Sequence, residues 1–453
     1  MKLLNNCAFT AIWSIPVLLL IIFLGVYLTV RSRMAQFRLL PAATRHLVHS
    51  FRVNSVSDDS ISGYRALCTA LAATVGTGNI AGVAGAIAIG GPGVIFWMWI
   101  CGLLGMILKF AEVTLSIHFR QKDPAGNYIG GPMYMIINGL QPQLHFLAYI
   151  YCFLGIVAAL GVGNAAQINA VVDGFRNIGN SMGLHLGTGC AFLIGTAIVI
   201  ILVPVFKQGA VGVGRLAEKL VPVASIVYIA SAIVVITIRG NQLPNAFRSI
   251  IRGAFTPSAV TGGMITSSLI SLRVGVSRGI FTNEAGMGTA SVAHASSNVK
   301  HPVEQGLMGI MEVFLDTVVI CTLTALVILT SEVPILYGND PGVTLTMNAF
   351  ASVLGNWSRL LLTVLSCIFA FATILGWGLY GMRFCQFLFG LTSWKYFLVA
   401  QSLAVILGSM LGTSTIWGLS EFVNGLMTIP NLIAVFMLSG NFLKLLKEKA
   451  YSH

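Results

Sequence analysis

Charged residues are scarce in this sequence: Asp, Glu, Lys and Arg together make up only 9% of its 453 residues. A soluble globular domain carries about 25% charged residues, so this scarcity excludes a chain that is mainly exposed to water. Hydrophobic residues make up 56% of the sequence. The composition therefore predicts an integral membrane protein with little room for a soluble domain.

Cysteine pairs and common catalytic motifs are also missing. The eight cysteines include no CxxC pair, and most lie within apolar stretches, which favours small buried side chains over disulfides or metal ligands. The sequence has no metal-binding His/Cys spacing, no GxSxG motif and no Walker loop. We therefore expect neither an enzyme nor direct use of ATP by this chain.

The net charge of +12 comes without a long Lys/Arg run interleaved with aromatics, so we expect no nucleic-acid partner. Lys and Arg collect in the cytoplasmic segments of membrane proteins. Segment 31–52 carries five arginines and the tail 441–453 carries three lysines. Both are predicted to be cytoplasmic, which puts the N-terminus outside. The first apolar run is predicted to be a retained span, because its positive charges follow it where a signal-peptide cleavage site would stand.

Eleven apolar stretches are long enough to cross the hydrocarbon core, which takes roughly 20 residues. They are 12–30, 64–89, 94–119, 146–172, 187–206, 214–238, 257–279, 305–330, 358–389, 395–411 and 414–440. The fold class is therefore all-α. We expect an N-terminal helix with its basic loop (1–62), followed by a core (63–453) of two five-helix repeats, 63–240 and 241–440, and a basic tail.

The first helix of each repeat contains residues that interrupt a helix. Gly76, Thr77, Gly78 and Asn79 lie in the middle of an uncharged stretch, and Gly262 and Gly263 lie within 257–279. Glycine weakens a helix, and Asn is costly against lipid. Interrupted helices at corresponding places of two halves indicate the binding site of a secondary transporter. Freed N–H groups attract an anion there, and freed carbonyls attract a cation.

Several motifs carry a resemblance to a known family. They are VGTGNIAGVA from Val75, GGPGVIFWMWICGLLG from Gly90, KFAE from Lys109, YIGGPMYMI from Tyr128, GNAAQINA from Gly163, RGIFTNEAGMGTASVAHA from Arg278, VFLDTVVICTLTALVIL from Val313 and FATILGWGLYG from Phe371. With these motifs the chain resembles the alanine or glycine:cation symporter family over nearly all of its length beyond the first helix. The resemblance implies a leucine-transporter-type fold and sodium-coupled symport of a small neutral amino acid. It also implies a place in the bacterial inner membrane, and we expect a functional monomer in the lipid bilayer.

The resemblance also implies site residues. The substrate would be held by Gly76, Thr77, Gly78, Asn79, Gln167, Gly262, Gly263, Met264 and Trp377. Sodium would be held by the carbonyls of Ala72, Val75 and Phe369 and by the hydroxyl of Thr373. Thr373 and Trp377 lie four residues apart and so share one helix face.

Among the departures from the family pattern, three bear on the predicted site or on a charge. Ala372 stands where a second hydroxyl is usual, which removes one candidate oxygen ligand of sodium. Met264 replaces the usual Phe and predicts a pocket of different shape, since Met is adaptable. Met382 replaces a Glu, so no ionic role is expected there.

Ionisable residues inside predicted spans are functional candidates. Asp316 is predicted either to bind a proton or sodium or to fix helix packing by hydrogen bonds. Glu312 lies one turn earlier on the same face. Glu284 is predicted to be a cytoplasmic gate or a helix cap. Lys109 and Glu112 are predicted to form an interfacial ion pair.

Two alternatives to sodium-coupled symport remain open at this point. One keeps the fold but couples a different small amino acid to protons through Asp316 or Glu312. The other is an uncoupled channel or a sensor. Uptake measured with choline in place of sodium distinguishes the proton-coupled alternative from sodium symport. A test for accumulation against a gradient distinguishes an uncoupled channel or sensor from either symporter.

Overall fold

A computed structural model describes residues 16–52, 61–181, 183–256, 258–260, 264–266, 268–338, 342–410 and 413–451. This part of the chain is nearly all helical, as its composition predicts. Short antiparallel strand pairs interrupt the helices in two places.

The first half contains eleven α-helices. They are α1 (Pro16–Arg31), α2 (Ala35–Arg38), α3 (Leu40–Arg52), α4 (Gly63–Thr74), α5 (Val83–Gly90), α6 (Val94–His118), α7 (Pro132–Gly139), α8 (Phe146–Ala158), α9 (Ala166–Ser181), α10 (Thr188–Lys207) and α11 (Gly209–Ile238). π-Helical turns precede α5 (Gly78–Gly82) and join α8 to α9 (Ala159–Ala165). Strands β1 (Gln121–Lys122) and β2 (Tyr128–Ile129) pair in the loop after α6.

The second half contains ten more helices. They are α12 (Leu243–Phe255), α13 (Ser268–Asn283), α14 (Thr289–Ala295), α15 (Pro302–Val313), α16 (Thr322–Thr330), α17 (Thr344–Leu354), α18 (Trp357–Phe389), α19 (Trp394–Met410), α20 (Thr413–Met437) and α21 (Ser439–Tyr451). A π-helical segment, Phe314–Cys321, joins α15 to α16. Strands β3 (Ser258–Val260) and β4 (Met264–Thr266) lie between α12 and α13.

Seven helical stretches of the described chain are long and apolar enough to cross a membrane, or nine if each of two bent helix pairs counts as one span. The seven are Val94–His118, Pro142–Gly179, Thr188–Lys207, Gly209–Ile238, Pro302–Thr330, Trp357–Phe389 and Leu391–Met410. The multi-pass helical architecture is thus confirmed, but the number of eleven spans is not. The described part of the first predicted span, α1, has 16 residues. At 1.5 Å per residue it is about 24 Å long, less than the roughly 30 Å hydrocarbon core.

The first broken helix lies where the sequence predicts it. Helix α4 ends before Val75, whose backbone is extended (φ −76°, ψ 94°), and the chain resumes at Gly78 at an angle of 50° to α4. Glycines at positions 76 and 78 favour the interruption because glycine loses more conformational entropy in a helix than any other residue.

The second interruption differs from the prediction. Gly262 and Gly263 lie outside the described residues, and their neighbours form β3 and β4 instead of two halves of a helix spanning 257–279. Helix α13 starts only at Ser268 and runs without interruption to Asn283. The strand pairing of β3 with β4 thus lies where the first half-helix was predicted.

Among the described residues of this part of the chain, a break lies between α13 and α14, at residues 284–288. Three residues there have positive φ: Glu284 (52°), Gly286 (91°) and Gly288 (76°). Near the start of α13, the Ser271 hydroxyl donates to the Gly90 carbonyl at the end of α5. At the other end, a methyl group added to Gly78 would lie 3.4 Å from Thr282 Cγ2. Helix α13 therefore runs antiparallel to α5, and the two breaks face each other.

The remaining helices enclose these two broken elements. Helix α6 packs against α13 and α15, α9 packs against α18, and α14 packs against α4 and α6. Aromatic side chains of α18 fill the interior, among them Trp377, Tyr380 and Phe384. The division into repeats at residue 240 stays a prediction.

Candidate functional site

The side chain of Asn79 closes the first break. Its Oδ1 accepts a hydrogen bond from the Gly76 N–H (2.9 Å), and its own backbone N–H donates to the Gly76 carbonyl (3.3 Å). Its amide nitrogen donates to Asp316 Oδ1 at 2.7 Å. Asn79 is 1% exposed. These bonds make Asn79 a brace of the break, whereas the sequence predicted it as a substrate ligand.

Asp316 connects the first break to the second. Its Oδ2 accepts from the Thr317 hydroxyl (2.8 Å), and that hydroxyl oxygen accepts from the Asn283 amide (3.0 Å). Asn283 Oδ1 in turn accepts from the N–H of Ala285, inside the second break. Both Asp316 oxygens therefore accept hydrogen bonds from protein groups, which fits the packing role of the two predicted for this residue.

A cavity lies between the two breaks. The residues that line it are Ala73, Thr74, Gly76, Gly78, Val162, Gln167, Phe281, Thr282, Glu284, Thr373, Trp377 and Asn424. They come from both broken helices, from α9 and the π-helical turn before it, from α18 and from α20. The structure thus brings Gly76, Gly78, Gln167, Trp377 and Thr373 of the predicted set together.

Thr77 joins this group through Gln167. Its hydroxyl donates to Gln167 Oε1 at 3.0 Å, and Gln167 Nε2 donates to the Val162 carbonyl at 3.3 Å. The side chain of Gln167 is thereby fixed between the break and the π-helical turn before α9. Its amide is held at the cavity wall in one orientation.

Trp377 forms the aromatic wall of the cavity. It is 1% exposed and packs edge-to-face against Tyr380. A methyl group added to Gly163 would overlap the Trp377 Cβ, at 2.2 Å. Glycine at this position therefore allows the π-helical turn to approach α18 and sets the position of the indole.

Of the predicted sodium ligands, Thr373 lines the cavity and contacts Phe369. The Thr373 hydroxyl donates to the Phe369 carbonyl at 3.0 Å, and a methyl group added to Gly76 would lie 2.7 Å from Thr373 Oγ1. Ala72 and Val75 stand at the C-terminal end of α4, where carbonyls have no partner within the helix. Sodium is a hard cation that takes oxygen ligands, as calcium and magnesium do, so the chemistry of this donor set fits it. Ala372 is buried and adds no oxygen.

Met264 is not brought to this cavity. Its backbone lies in β4, before the 16-residue helix α13, whose other end contributes Phe281 and Thr282 to the lining. At 1.5 Å per residue, α13 separates β4 from the cavity by about 24 Å. The predicted contacts of Gly262 and Gly263 lie outside the described residues.

A buried charged cluster lies beside the second break. Lys109 Nζ lies 3.3 Å from Glu312 Oε1, and His294 Nε2 lies 3.0 Å from Glu312 Oε2. Glu112 accepts a hydrogen bond from the Asn431 amide at 2.6 Å. All these side chains are fully buried, so Glu112 does not form the predicted interfacial pair with Lys109. Glu312 already has two partners and does not line the cavity.

Glu284 is the one carboxylate among the described lining residues. It is 3% exposed, and its Oε2 accepts a hydrogen bond from the Thr289 hydroxyl at 2.5 Å. None of the described residues that line the cavity is Lys, Arg or His. The cavity is therefore suited to a cation, or to a zwitterion accompanied by one.

The sequence contains a signal for the second break that the prediction did not use. The motif Gly286-Met287-Gly288 mirrors Gly76-Thr77-Gly78, and in both motifs a polar residue stands next to the glycine pair. Phe281, Thr282 and Asn424 carry no such signal. They reach the cavity only because of how their helices pack.

Solved structures show which class of protein this architecture defines. The chain is similar to MhsT, solved in complex with L-phenylalanine, with a TM-score of 0.56 and 15% sequence identity over 84% of this chain and 89% of that one. The fold is that of leucine-transporter-type secondary transporters.

The sequence comparisons then identify the family. The family model for the sodium:alanine symporter family matches residues 2–453. The sodium/alanine symporter AgcS of Methanococcus maripaludis is 36% identical over 442 residues, covering 96% of this chain and 94% of its own length. The probable sodium/glutamine symporter GlnT of Bacillus subtilis is 36% identical over 438 residues, covering 96% and 88%. The chain belongs to the sodium:alanine symporter family.

Proposed function

We propose that the protein carries a small neutral amino acid, alanine or glycine, together with sodium across the bacterial inner membrane by alternating access. The N-terminus lies outside, the C-terminal tail is cytoplasmic, and a monomer is sufficient for transport. The observation that carries the proposal is the cavity between two helix breaks, which offers backbone groups and a single carboxylate.

The two poles of a zwitterion match the two sides of this cavity. The N–H of Asn79 donates to the Gly76 carbonyl, and the other first-turn N–H groups of the helix that starts at Gly78 favour a substrate carboxylate. The carbonyls that end α4, with Thr373, favour sodium next to it. Because both ligands share one broken helix, binding of either raises the affinity for the other.

The walls of the cavity favour a short side chain. Trp377 and Phe281 form large apolar parts of the lining, and Gly163 holds Trp377 in place. A longer amide side chain, such as that of glutamine, would have to displace one of these rings. We therefore expect alanine and glycine to be carried in preference to glutamine, although one relative is named for glutamine.

Uptake into proteoliposomes tests the proposal. We expect labelled alanine or glycine to accumulate against its gradient when external sodium exceeds internal sodium, and to stop accumulating when choline replaces sodium. Accumulation driven by a proton gradient in choline would instead support the proton-coupled alternative. Equilibration without accumulation would support an uncoupled channel.

Thr373→Ala tests the cation site. Loss of a hydroxyl ligand of a charged group costs about 1.5–3 kcal/mol, so the sodium concentration for half-maximal uptake should rise roughly 10- to 100-fold. Thr363→Ala is the matched control: it lies on the same helix, is buried and donates to the carbonyl four residues earlier, as Thr373 does. Equal sodium dependence in both variants would exclude Thr373 as a ligand.

A further inference from the structure

Glu284 occupies an unusual backbone position in the second break. Four described non-glycine residues have positive φ, namely Arg33, Met34, Glu284 and Glu332, and only Glu284 is buried. A left-handed conformation costs a non-glycine residue free energy, and the surrounding structure has to enforce it. Glu284 lines the cavity from this break.

Glu284 shares its neighbouring cation with other carboxylates. Lys109 interacts electrostatically with the carboxylates of Glu312, Glu112 and Glu284. Lys109 forms an ion pair with Glu312, with 3.3 Å between Nζ and Oε1. The ion pairs of the described residues in this region are made to Glu312 and not to Glu284, and a buried charged group without an ion-pair partner is costly. A positive group in the cavity would remove that cost.

Glu284 also keeps capacity to accept hydrogen bonds. A carboxylate offers about four lone-pair sites. The Thr289 hydroxyl uses one of them, and the Trp377 indole lies close enough to use another. The remaining sites are available to a group bound in the cavity, whose lining also includes Gly76 and Gly78.

We propose that the Glu284 carboxylate binds the ammonium group of the substrate, an inference that rests on the proposed amino-acid transport. The substrate then spans the cavity, with its own carboxylate at the α5 side and its ammonium group at the second break. The cavity requires a protonated amine and rejects a hydroxy acid of the same size. The charges of bound sodium, the Glu284 carboxylate and the zwitterion then add up to zero.

Binding to the purified protein in sodium tests this assignment with L-alanine and L-lactate, which differ in the ammonium group. We expect lactate to bind at least on the order of 100-fold more weakly than alanine, since a buried polar group would be left unpaired. In Glu284→Gln, alanine affinity should fall toward that of lactate, while lactate affinity should change little. The amide oxygen of Gln can still accept from Thr289, so this bond is preserved.

Thr289→Val is the control for a structural role. It removes the hydrogen bond to Glu284 but keeps the carboxylate, so the ratio of alanine to lactate affinity should stay near that of the wild type. If Thr289→Val lowers the ratio as much as Glu284→Gln does, Glu284 acts only by holding the break. If Glu284→Gln does not fold, Glu284→Asp gives the same readout, because it withdraws the charge by one methylene and should also lower the ratio.

The outcomes for the two proposals are separable. A wild-type protein that neither binds nor accumulates alanine in sodium refutes the proposed function. A wild-type protein that transports alanine, with an unchanged alanine-to-lactate ratio in Glu284→Gln, refutes the role of Glu284 alone. Lactate binding within tenfold of alanine in the wild type also refutes it.

Discussion

Individual glycines in this protein set how closely helices approach the cavity. An added methyl group would meet Thr373 Oγ1 at position 76 and the Trp377 Cβ at position 163. Both contacts are shorter than van der Waals distance, so neither site accepts a side chain without movement of the backbone. At position 82, in contrast, an added methyl group meets nothing within 4 Å.

We predict that Gly163→Ala destabilises the protein and Gly82→Ala does not. Overpacking a filled site costs about 1–3 kcal/mol, and the Trp377 Cβ is attached to the backbone and cannot rotate away. Both glycines lie in π-helical turns, so Gly82→Ala controls for the effect on the backbone. The melting temperature of the detergent-solubilised variants is the measurement. Equal melting temperatures of the two variants would mean that α18 can move away from position 163 at little cost in stability.

At the scale of elements, a chain of hydrogen bonds connects the two broken helices. It runs from Asn79 through Asp316 and Thr317 to Asn283, and all four side chains are at most 1% exposed. The π-helical segment that carries Asp316 thus contacts both breaks. A movement of either broken helix during transport would have to stretch or rearrange this chain.

We predict that exchanging the side chains of Asn79 and Asp316 preserves the hydrogen bond between these two positions. Asn79→Asp places two carboxylates together and should destabilise the protein strongly, whereas Asn79→Asp with Asp316→Asn again pairs a carboxylate with an amide. The coupling free energy should be about 1–3 kcal/mol in favour of the double variant. Thermal unfolding of the wild type, both single variants and the double variant gives this value. Strictly additive effects would contradict the contact.

At the scale of the whole molecule, the distribution of positive charge predicts the orientation in the membrane. Cytoplasmic segments collect Lys and Arg, and helix α21 carries Lys444, Lys447 and Lys449. The turn Gly240–Gln242 lies at the far end of α11 and is predicted to be outside. Asn241 and Lys447 are both exposed, so a cysteine at either position can be labelled from the side of the membrane on which it lies.

We predict that a membrane-impermeant maleimide labels Asn241→Cys in intact cells and labels Lys447→Cys only after permeabilisation. The background should replace Cys7 and Cys190, since Cys190 is exposed and Cys7 lies outside the described residues. The reverse pattern would invert the proposed topology. Labelling at both positions in intact cells would point to a different number of spans between them.

The sequence alone determined the class, the family and the first break. The scarcity of charge and the long apolar stretches indicate a membrane protein. Two glycines and an Asn within an uncharged span indicate a break, because glycine has low helix propensity and Asn is costly against lipid. The sequence also predicted that Thr373 and Trp377 lie on the same face of a helix, because they are four residues apart.

The tertiary structure decided where the break at residues 284–288 lies relative to the first one. The packing of α13 along α5 places the last turn of α13, with Thr282, next to Gly78, just before the break at residues 284–288. It also decided that Lys109 pairs with Glu312 and that Glu284 faces the cavity. Such choices depend on the depth and rotation of helices distant in sequence, which local propensity and spacing do not encode.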